Sequence, residues 1–205
     1  MKLAIFGGSG RTGRAVVERA LAGGHHVRAL VRDASRLTIS DARLEVLTGL
    51  PDDPAAVARL LEGCDAVIST LGPTAADETI CSRATAVILA TLQARRYVLV
   101  SGAGVDVLGD EKRFADRLIS WVVRVVSPRV FADKVLEYQR LQKSDADFVA
   151  VRPPRLLDGP AKGPALVSLK HPLGNSLTRS DLAAFIVQVA TTKNGSREAP
   201  FVSSP

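Results

Sequence analysis

Short apolar runs and amphipathic stretches alternate along most of the chain. Residues 2–6 form an apolar run closed by glycines and predict a buried strand. Over 12–22 the apolar positions, among them Ala15, Val16 and Ala20, recur at helical spacing, and Gly23-Gly24 supplies a stop. Strands follow at 27–31 and 44–47. Asp52-Asp53-Pro54 then places two carboxylates and a proline at the start of a helix that runs to Leu61. A fourth strand at 66–70, a helix over 79–94 and a fifth strand at 97–101 complete the series. The strands are near-continuous apolar runs, as expected of parallel strands covered on both faces. The pattern predicts an α/β fold: a doubly wound parallel sheet, Rossmann-like, forming a single domain over 1–205.

The second half is less regular. Residues 114–126 are apolar nearly all round, so this stretch is expected to be buried, to cover a pocket or to pack on a partner. Trp121 within it would suit a pocket wall for a flat ligand. An amphipathic helix ends at Lys143, a sixth strand spans 147–151, and Pro153-Pro154 ends it. Residues 159–174 are rich in glycine and proline and predict a loop with one short strand near 166–169. Ser180-Asp181 is expected to cap a last helix reaching Thr191, and 201–202 to form a short final strand. No linker, internal repeat or low-complexity tract interrupts the chain. Substrate-side elements are expected at about 102–130 and 153–180.

Chemistry concentrates in one turn. Gly7-Gly8-Ser9-Gly10-Arg11-Thr12-Gly13 follows a predicted strand and opens a predicted helix, the context that a dinucleotide fingerprint needs. Gly7 would permit the tight turn, Gly10 the approach of a pyrophosphate, and Gly13 close packing of helix on strand. The unpaired amides and positive dipole end of the helix would face the phosphates, with Ser9, Arg11 and Thr12 as further donors. No Gly-Lys-Ser/Thr ending is present, which excludes a nucleoside-triphosphate P-loop. Arg32 stands nineteen positions after Gly13, where this fold meets the adenosine ribose, and Arg36 lies four residues beyond it. Two guanidiniums with the Ser35 hydroxyl favour the 2′-phosphate of NADP(H) over the 2′-hydroxyl of NAD(H). Asp33 is the competing partner for Arg32.

Composition narrows the setting. The 205 residues are 46% hydrophobic, and the net charge is +6 from 27 basic and 21 acidic residues. The basic residues are scattered without an aromatic-interleaved stripe, so a small anionic ligand fits better than nucleic acid. Two cysteines, Cys64 and Cys81, make no disulfide framework and suit a reducing compartment. No spanning segment or signal peptide is evident. The expectation is a cytoplasmic monomer or homodimer without membrane or metal.

The segments Ala4-Ile5-Phe6-Gly7-Gly8-Ser9-Gly10-Arg11-Thr12-Gly13, Leu30-Val31-Arg32-Asp33, Ser69-Thr70-Leu71-Gly72 and Val149-Ala150-Val151-Arg152-Pro153-Pro154 carry a likeness. Together they resemble the atypical short-chain dehydrogenases with an NAD(P)-binding, NmrA-like domain, nearest to the branch that reduces biliverdin and flavins. The resemblance implies NADPH lying across the strand carboxyl ends, with Leu71-Gly72 and Pro153 flanking the nicotinamide half. It also implies that Ser101 lies beside the reactive ring and that Lys134 contacts ribose or pyrophosphate. Pro154 and Arg155 then fall on the substrate side. Two positions depart from the family. Leu50 replaces the acid that usually follows the third strand and holds the adenine, and Arg155 replaces a histidine of the flavin reductase.

Ordinary short-chain dehydrogenases use Tyr-x-x-x-Lys, the lysine lowering the tyrosine pKa. Val130 occupies the tyrosine position before Lys134, and the only tyrosines are Tyr97 and Tyr138. Tyrosine-dependent carbonyl reduction is therefore not supported. Hydride transfer to an electron-poor planar acceptor (a flavin, quinone or tetrapyrrole) needs mainly positioning, which Ser101, backbone amides and apolar walls can give. The alternative is an NmrA-like regulator that binds the cofactor without turnover.

Overall fold

The computed structural model describes residues 1–74, 76–192 and 194–205; the side chains of Ala115 and Ile119, the latter in the apolar block noted above, lie outside the described part. Six strands form the central sheet: β1 (Lys2–Phe6), β2 (His26–Val31), β3 (Leu44–Thr48), β4 (Ala66–Ser69), β5 (Arg96–Val100) and β6 (Phe148–Val151). All pair in parallel in the order β3-β2-β1-β4-β5-β6. The order reverses between β1 and β4, so their carboxyl ends flank the crevice where this fold binds ligands.

Helices cover both faces, and the period of two along each strand explains how. Leu3 and Ile5 point to one face, where α1 (Arg11–Ala22) and α6 (Arg179–Thr191) bury Val16, Val17, Ala20, Leu182 and Ile186. Ala4 and Phe6 point to the other, against α2 (Pro54–Leu61), α3 (Ile80–Thr91) and α5 (Pro128–Lys143). Both positions of the alternation must therefore be apolar, which produces the unbroken apolar runs of the sequence. Asp53 caps α2 by accepting from the Ala55 amide at 3.0 Å, with Pro54 at the first helical position. Gly23 and then Gly24, at φ +77°, end α1.

Two expectations need correction. The cap of α6 is Thr178, whose Oγ1 accepts from the Asp181 amide at 3.1 Å and donates to its carboxylate at 2.8 Å. The helix springs directly from a strand, so no separate cap signal precedes it. Ser180 instead donates to the Gly159 carbonyl, and Asp181 gathers the amides of Lys162 and Gly163. The glycine-rich stretch holds the one short strand expected of it, β8 (Leu166–Ser168), which pairs with β10 (Phe201–Ser203); two strands that the pattern does not show, β7 (Arg155–Leu157) and β9 (Ser176–Thr178), pair with each other on either side of it. Lastly, 114–126 is a helix, α4 (Phe114–Val126), but it is not core: Phe114 is 83% and Trp121 58% exposed.

Candidate functional site

The glycine turn sits at the β1/β4 switch, and its three glycines do different work. Gly7 has φ +78°, a left-handed conformation, and a Cβ there would come within 2.9 Å of Thr70 Oγ1. A Cβ on Gly13 would lie 2.0 Å from the Gly7 carbonyl oxygen, inside the contact that seats α1 on β1. Gly10 is unlike both. A Cβ there meets only the Gly7 oxygen, at 3.3 Å, a close contact that a shift of a few tenths of an ångström relieves. Gly10 caps α1 without a side-chain hydrogen bond, and the amides of Arg11, Thr12 and Gly13 have no acceptor among the described residues. Thr70 completes the turn by donating its hydroxyl to the Phe6 carbonyl at 2.9 Å. Nothing local in the sequence marks Thr70, since its partner is 64 residues away.

A cleft of about 380 Å³ opens beside this turn. Its lining includes Gly7, Ser9 and Gly10 of the turn and Arg32 and Arg36, which follow β2. Neither arginine forms an ion pair among the described residues. Asp33 is engaged elsewhere: it accepts from the Ser35 hydroxyl at 2.7 Å and amide at 3.0 Å, bonds that hold its carboxyl below the usual range. The expected competition of Asp33 for Arg32 is thus not formed, and the Ser35 hydroxyl is spent on Asp33 rather than offered to a phosphate. Arg14 braces this segment from α1 by donating to the Arg36 carbonyl at 3.0 Å.

The walls of the cleft are largely apolar, with Leu30, Leu50, Pro51 and Ile80 among them. Arg83 bridges the rim, donating to Asp52 at 3.0 Å and to Asp77 at 2.6 Å. The guanidinium lowers the Asp77 carboxyl from 3.8 to about 2. A depressed carboxyl pKa means that the bridge is intact above the ordinary value and weakens only as pH falls through the lower one.

On the far side of the switch, Leu71 and Gly72 line the cleft. Ser101 follows β5; its amide donates to the Val151 carbonyl at 2.8 Å, and its Oγ is buried with no partner among the described residues. Lys134 is largely buried, its side chain 12% exposed, and its ammonium is engaged by the protein. Its Nζ donates to the Val100 carbonyl at 3.1 Å, the Leu71 carbonyl at 3.4 Å and Glu137 Oε2 at 2.9 Å. An ammonium has three N–H donors, and all three are used. Burial disfavours its charge, but the Glu137 carboxylate outweighs burial and raises the lysine pKa. Lys134 therefore acts as a tie between the carboxyl ends of β4 and β5, reaching Leu71 just past β4 and Val100 of β5.

Behind it lies a buried polar chain. Glu137 accepts from Thr85 Oγ1 at 3.2 Å, and that hydroxyl meets Tyr97 OH at 3.0 Å. Asp133 accepts from the amides of Cys81 and Ser82, each at 3.1 Å, and so caps α3 from α5. Burial pushes the Cys81 thiol up to about 12. Tyr138 packs edge-on against Phe148, ring centroids 6.3 Å apart.

The remaining substrate-side residues do not converge on the cleft. Trp121 faces solvent on α4 and forms no wall, because the outward face of that helix is the apolar one. Pro153 is buried and accepts from the Ala103 amide at 3.0 Å, Pro154 is half-buried, and Arg155 is exposed at the start of β7. Arg11 points away from the turn and pairs with Asp158 at 3.3 Å in solvent, a contact of small energy. Among the described residues no cluster of three His, Cys, Asp or Glu side chains could hold a metal ion. No helix among them is long and apolar enough to cross a membrane.

The profile of the NAD(P)H-binding family matches residues 7–193. Solved structures of the same fold include an anaerobilin reductase from Escherichia coli O157:H7, 24% identical with a TM-score of 0.80, covering 100% of this chain and 98% of that one. A candidate NADH-flavin reductase from Streptococcus pneumoniae TIGR4 is 20% identical with a TM-score of 0.80, and each chain is covered to 100%. A short-chain dehydrogenase/reductase from Veillonella parvula, solved with NADP, is 17% identical with a TM-score of 0.80, covering 100% of this chain and 94% of that one. At these identities the likeness is one of fold.

Proposed function

The chain belongs to the NAD(P)H-binding family, and on that premise we propose that it is an NADPH-dependent reductase of a planar acceptor such as a flavin, quinone or tetrapyrrole. One observation carries the proposal: a glycine turn with unpaired helix amides opens onto a cleft lined also by two arginines that, among the described residues, have no carboxylate partner. The amides of Arg11, Thr12 and Gly13 would receive the pyrophosphate, and Arg32 with Arg36 the 2′-phosphate. When bound, NADPH supplies a hydride, while the matching proton comes from solvent.

The residues of the chain would then bind and orient. Lys134 keeps the ends of β4 and β5 in register beneath the nicotinamide half. Ser101 Oγ, buried and without a partner, is the hydroxyl available to orient ring or acceptor. Turnover is tested by the loss of NADPH absorbance with FMN, FAD and quinones, against a blank without acceptor. Ser101→Ala should slow it about tenfold, equivalent to ~1.4 kcal/mol in the barrier, and Tyr138→Phe should leave it unchanged. A Tyr138→Phe enzyme slowed a hundredfold beside an unaffected Ser101→Ala would overturn this assignment.

Arg32→Ala should weaken NADPH by ~1.5–3 kcal/mol in titration calorimetry and leave NADH nearly untouched. Equal losses for both would remove the basis for the NADP preference. A second reading, a cofactor-binding regulator without turnover, is favoured by the tyrosines. Tyr97 OH is committed to Thr85 and Tyr138 to the core, so neither supplies an acid to the cleft. Tight NADPH binding with no acceptor-dependent oxidation would select it.

A further inference from the structure

Helix α4 is built inside out. At about 100° per residue, Trp121, Phe114, Val125, Leu118, Val122, Val126 and Val123 sweep one continuous arc. Asp116, Ser120, Arg124 and Arg117 occupy the remainder. In an ordinary surface helix the apolar arc would face the core. Here the inward side is marked by Ser120, in the polar arc. Ser120 is 8% exposed and accepts from Lys112 Nζ at 3.4 Å, while Arg124 stacks over the Phe131 ring at 4.8 Å and pairs with Asp106. The apolar arc is left in solvent, with Phe114 83%, Trp121 58%, Val125 58% and Val126 74% exposed. Leu108, at 98% exposed, lies in the segment that leads into it. A contiguous apolar face of this kind marks an interaction surface.

Its charges indicate what covers it. Arg117 borders Trp121 at the edge of the apolar arc and Arg113 stands one turn before it; both are exposed and, among the described residues, belong to no ion pair, whereas Arg124 pairs with Asp106 and Arg129 with Glu78. A second copy of the same helix face would bring them no carboxylate other than Asp116, since Asp106 and Glu111 of the preceding segment are already paired with Lys112 and Lys170. The only acid on the helix, Asp116, already accepts from the Arg113 amide at 3.2 Å. A surface that is apolar inside and anionic at its boundary satisfies both features, and the net charge of +6 favours the approach. We infer that α4 is a peripheral membrane-docking helix that lies in the headgroup layer of an anionic bilayer, with Trp121, Phe114, Leu118 and Val125 inserted and Arg113 and Arg117 on the lipid phosphates. The depth is that of other interfacial helices, roughly 5–10 Å. This holds whether or not the cleft turns over its cofactor.

The test uses the full chain with vesicles of equal parts phosphatidylglycerol and phosphatidylcholine, and with vesicles of phosphatidylcholine alone. Trp121 is the only tryptophan, so its emission reports insertion directly. The expected result is co-flotation and a blue shift with the anionic vesicles only, both reversed by high salt. The double charge reversal Arg113→Glu with Arg117→Glu should lower partitioning at least about tenfold, because each cation near such a surface contributes favourably. Leu118→Ser with Val125→Ser should abolish both signals, and the circular dichroism melt of each variant confirms that it is folded. Absence of flotation overturns the inference, as does equal binding to neutral vesicles. A dimer in sedimentation velocity that Leu118→Ser dissociates, without vesicle binding, would give the face to a second copy and overturn it equally.

Discussion

Gly10→Val should abolish NADPH binding in titration calorimetry while the melting temperature stays within about 4 °C of the parent. The contrast with its neighbours makes the expectation specific. A Cβ at Gly10 meets one protein atom at 3.3 Å, so the fold can accommodate the side chain. The two γ-methyls would then occupy the space over the first-turn amides of α1, where a pyrophosphate must approach. Gly13→Ala is the control for the opposite effect. Its Cβ would lie 2.0 Å from the Gly7 oxygen, so α1 must move off β1, and the loss should appear as stability before it appears as binding. If Gly10→Val binds NADPH with the affinity of the parent, the turn is structural only and the proposed cofactor site falls.

Arg152→Met should destabilise the protein by ~3–5 kcal/mol in urea unfolding, the range for breaking one side of a buried ion pair. Arg152 is 1% exposed and sits just past the end of β6. Its guanidinium makes a bidentate pair with Asp110 at 2.7 and 2.8 Å. It also donates to the carbonyls of Val105 at 3.0 Å and Ala199 at 2.7 Å, and stacks over the Phe201 ring at 3.7 Å. One side chain thereby fastens the 102–110 segment and β10 to the sheet. Methionine keeps the stem but leaves the Asp110 carboxylate, 8% exposed, with only the Val107 amide at 2.9 Å and Lys112 Nζ at 4.0 Å. Adding Asp110→Leu should recover part of the loss, since the uncompensated charge rather than the missing pair dominates the cost. A single-variant cost below about 1 kcal/mol would show that the segment is held by other contacts.

The parts of the fold legible in the sequence are those in which local period and global packing agree. Leu3 and Ile5 face one layer and Ala4 and Phe6 the other, so a strand buried on both sides announces itself as an unbroken apolar run. The glycine turn is legible because its spacing encodes a backbone path. Arg32 and Arg36 are legible because the length of β2 fixes where they emerge. What stayed hidden depends on partners remote in sequence. Thr70 reaches back to Phe6, Arg14 across to Arg36, and Lys134 to two backbone carbonyls that no residue type identifies. Strands β7 and β9 hold only three residues each, too few to show a period. Helix α4 misled for a different reason. Hydrophobicity around a helix tells how wide its apolar arc is, and never which way that arc points.

The interlock of Gly7, Gly13 and Thr70 also divides the thermodynamic work of binding unevenly. The phosphate-facing amides belong to backbone already fixed between β1, β4 and α1, so a ligand meets them without ordering anything. Arg32 and Arg36, exposed and held by no carboxylate, are the opposite case, and immobilising each long side chain forfeits up to ~2 kcal/mol of rotamer entropy. The pyrophosphate end should therefore set how tightly a dinucleotide is held. In the proposed binding mode the arginine end would set which dinucleotide is preferred, with a margin narrowed by the freedom those two side chains give up.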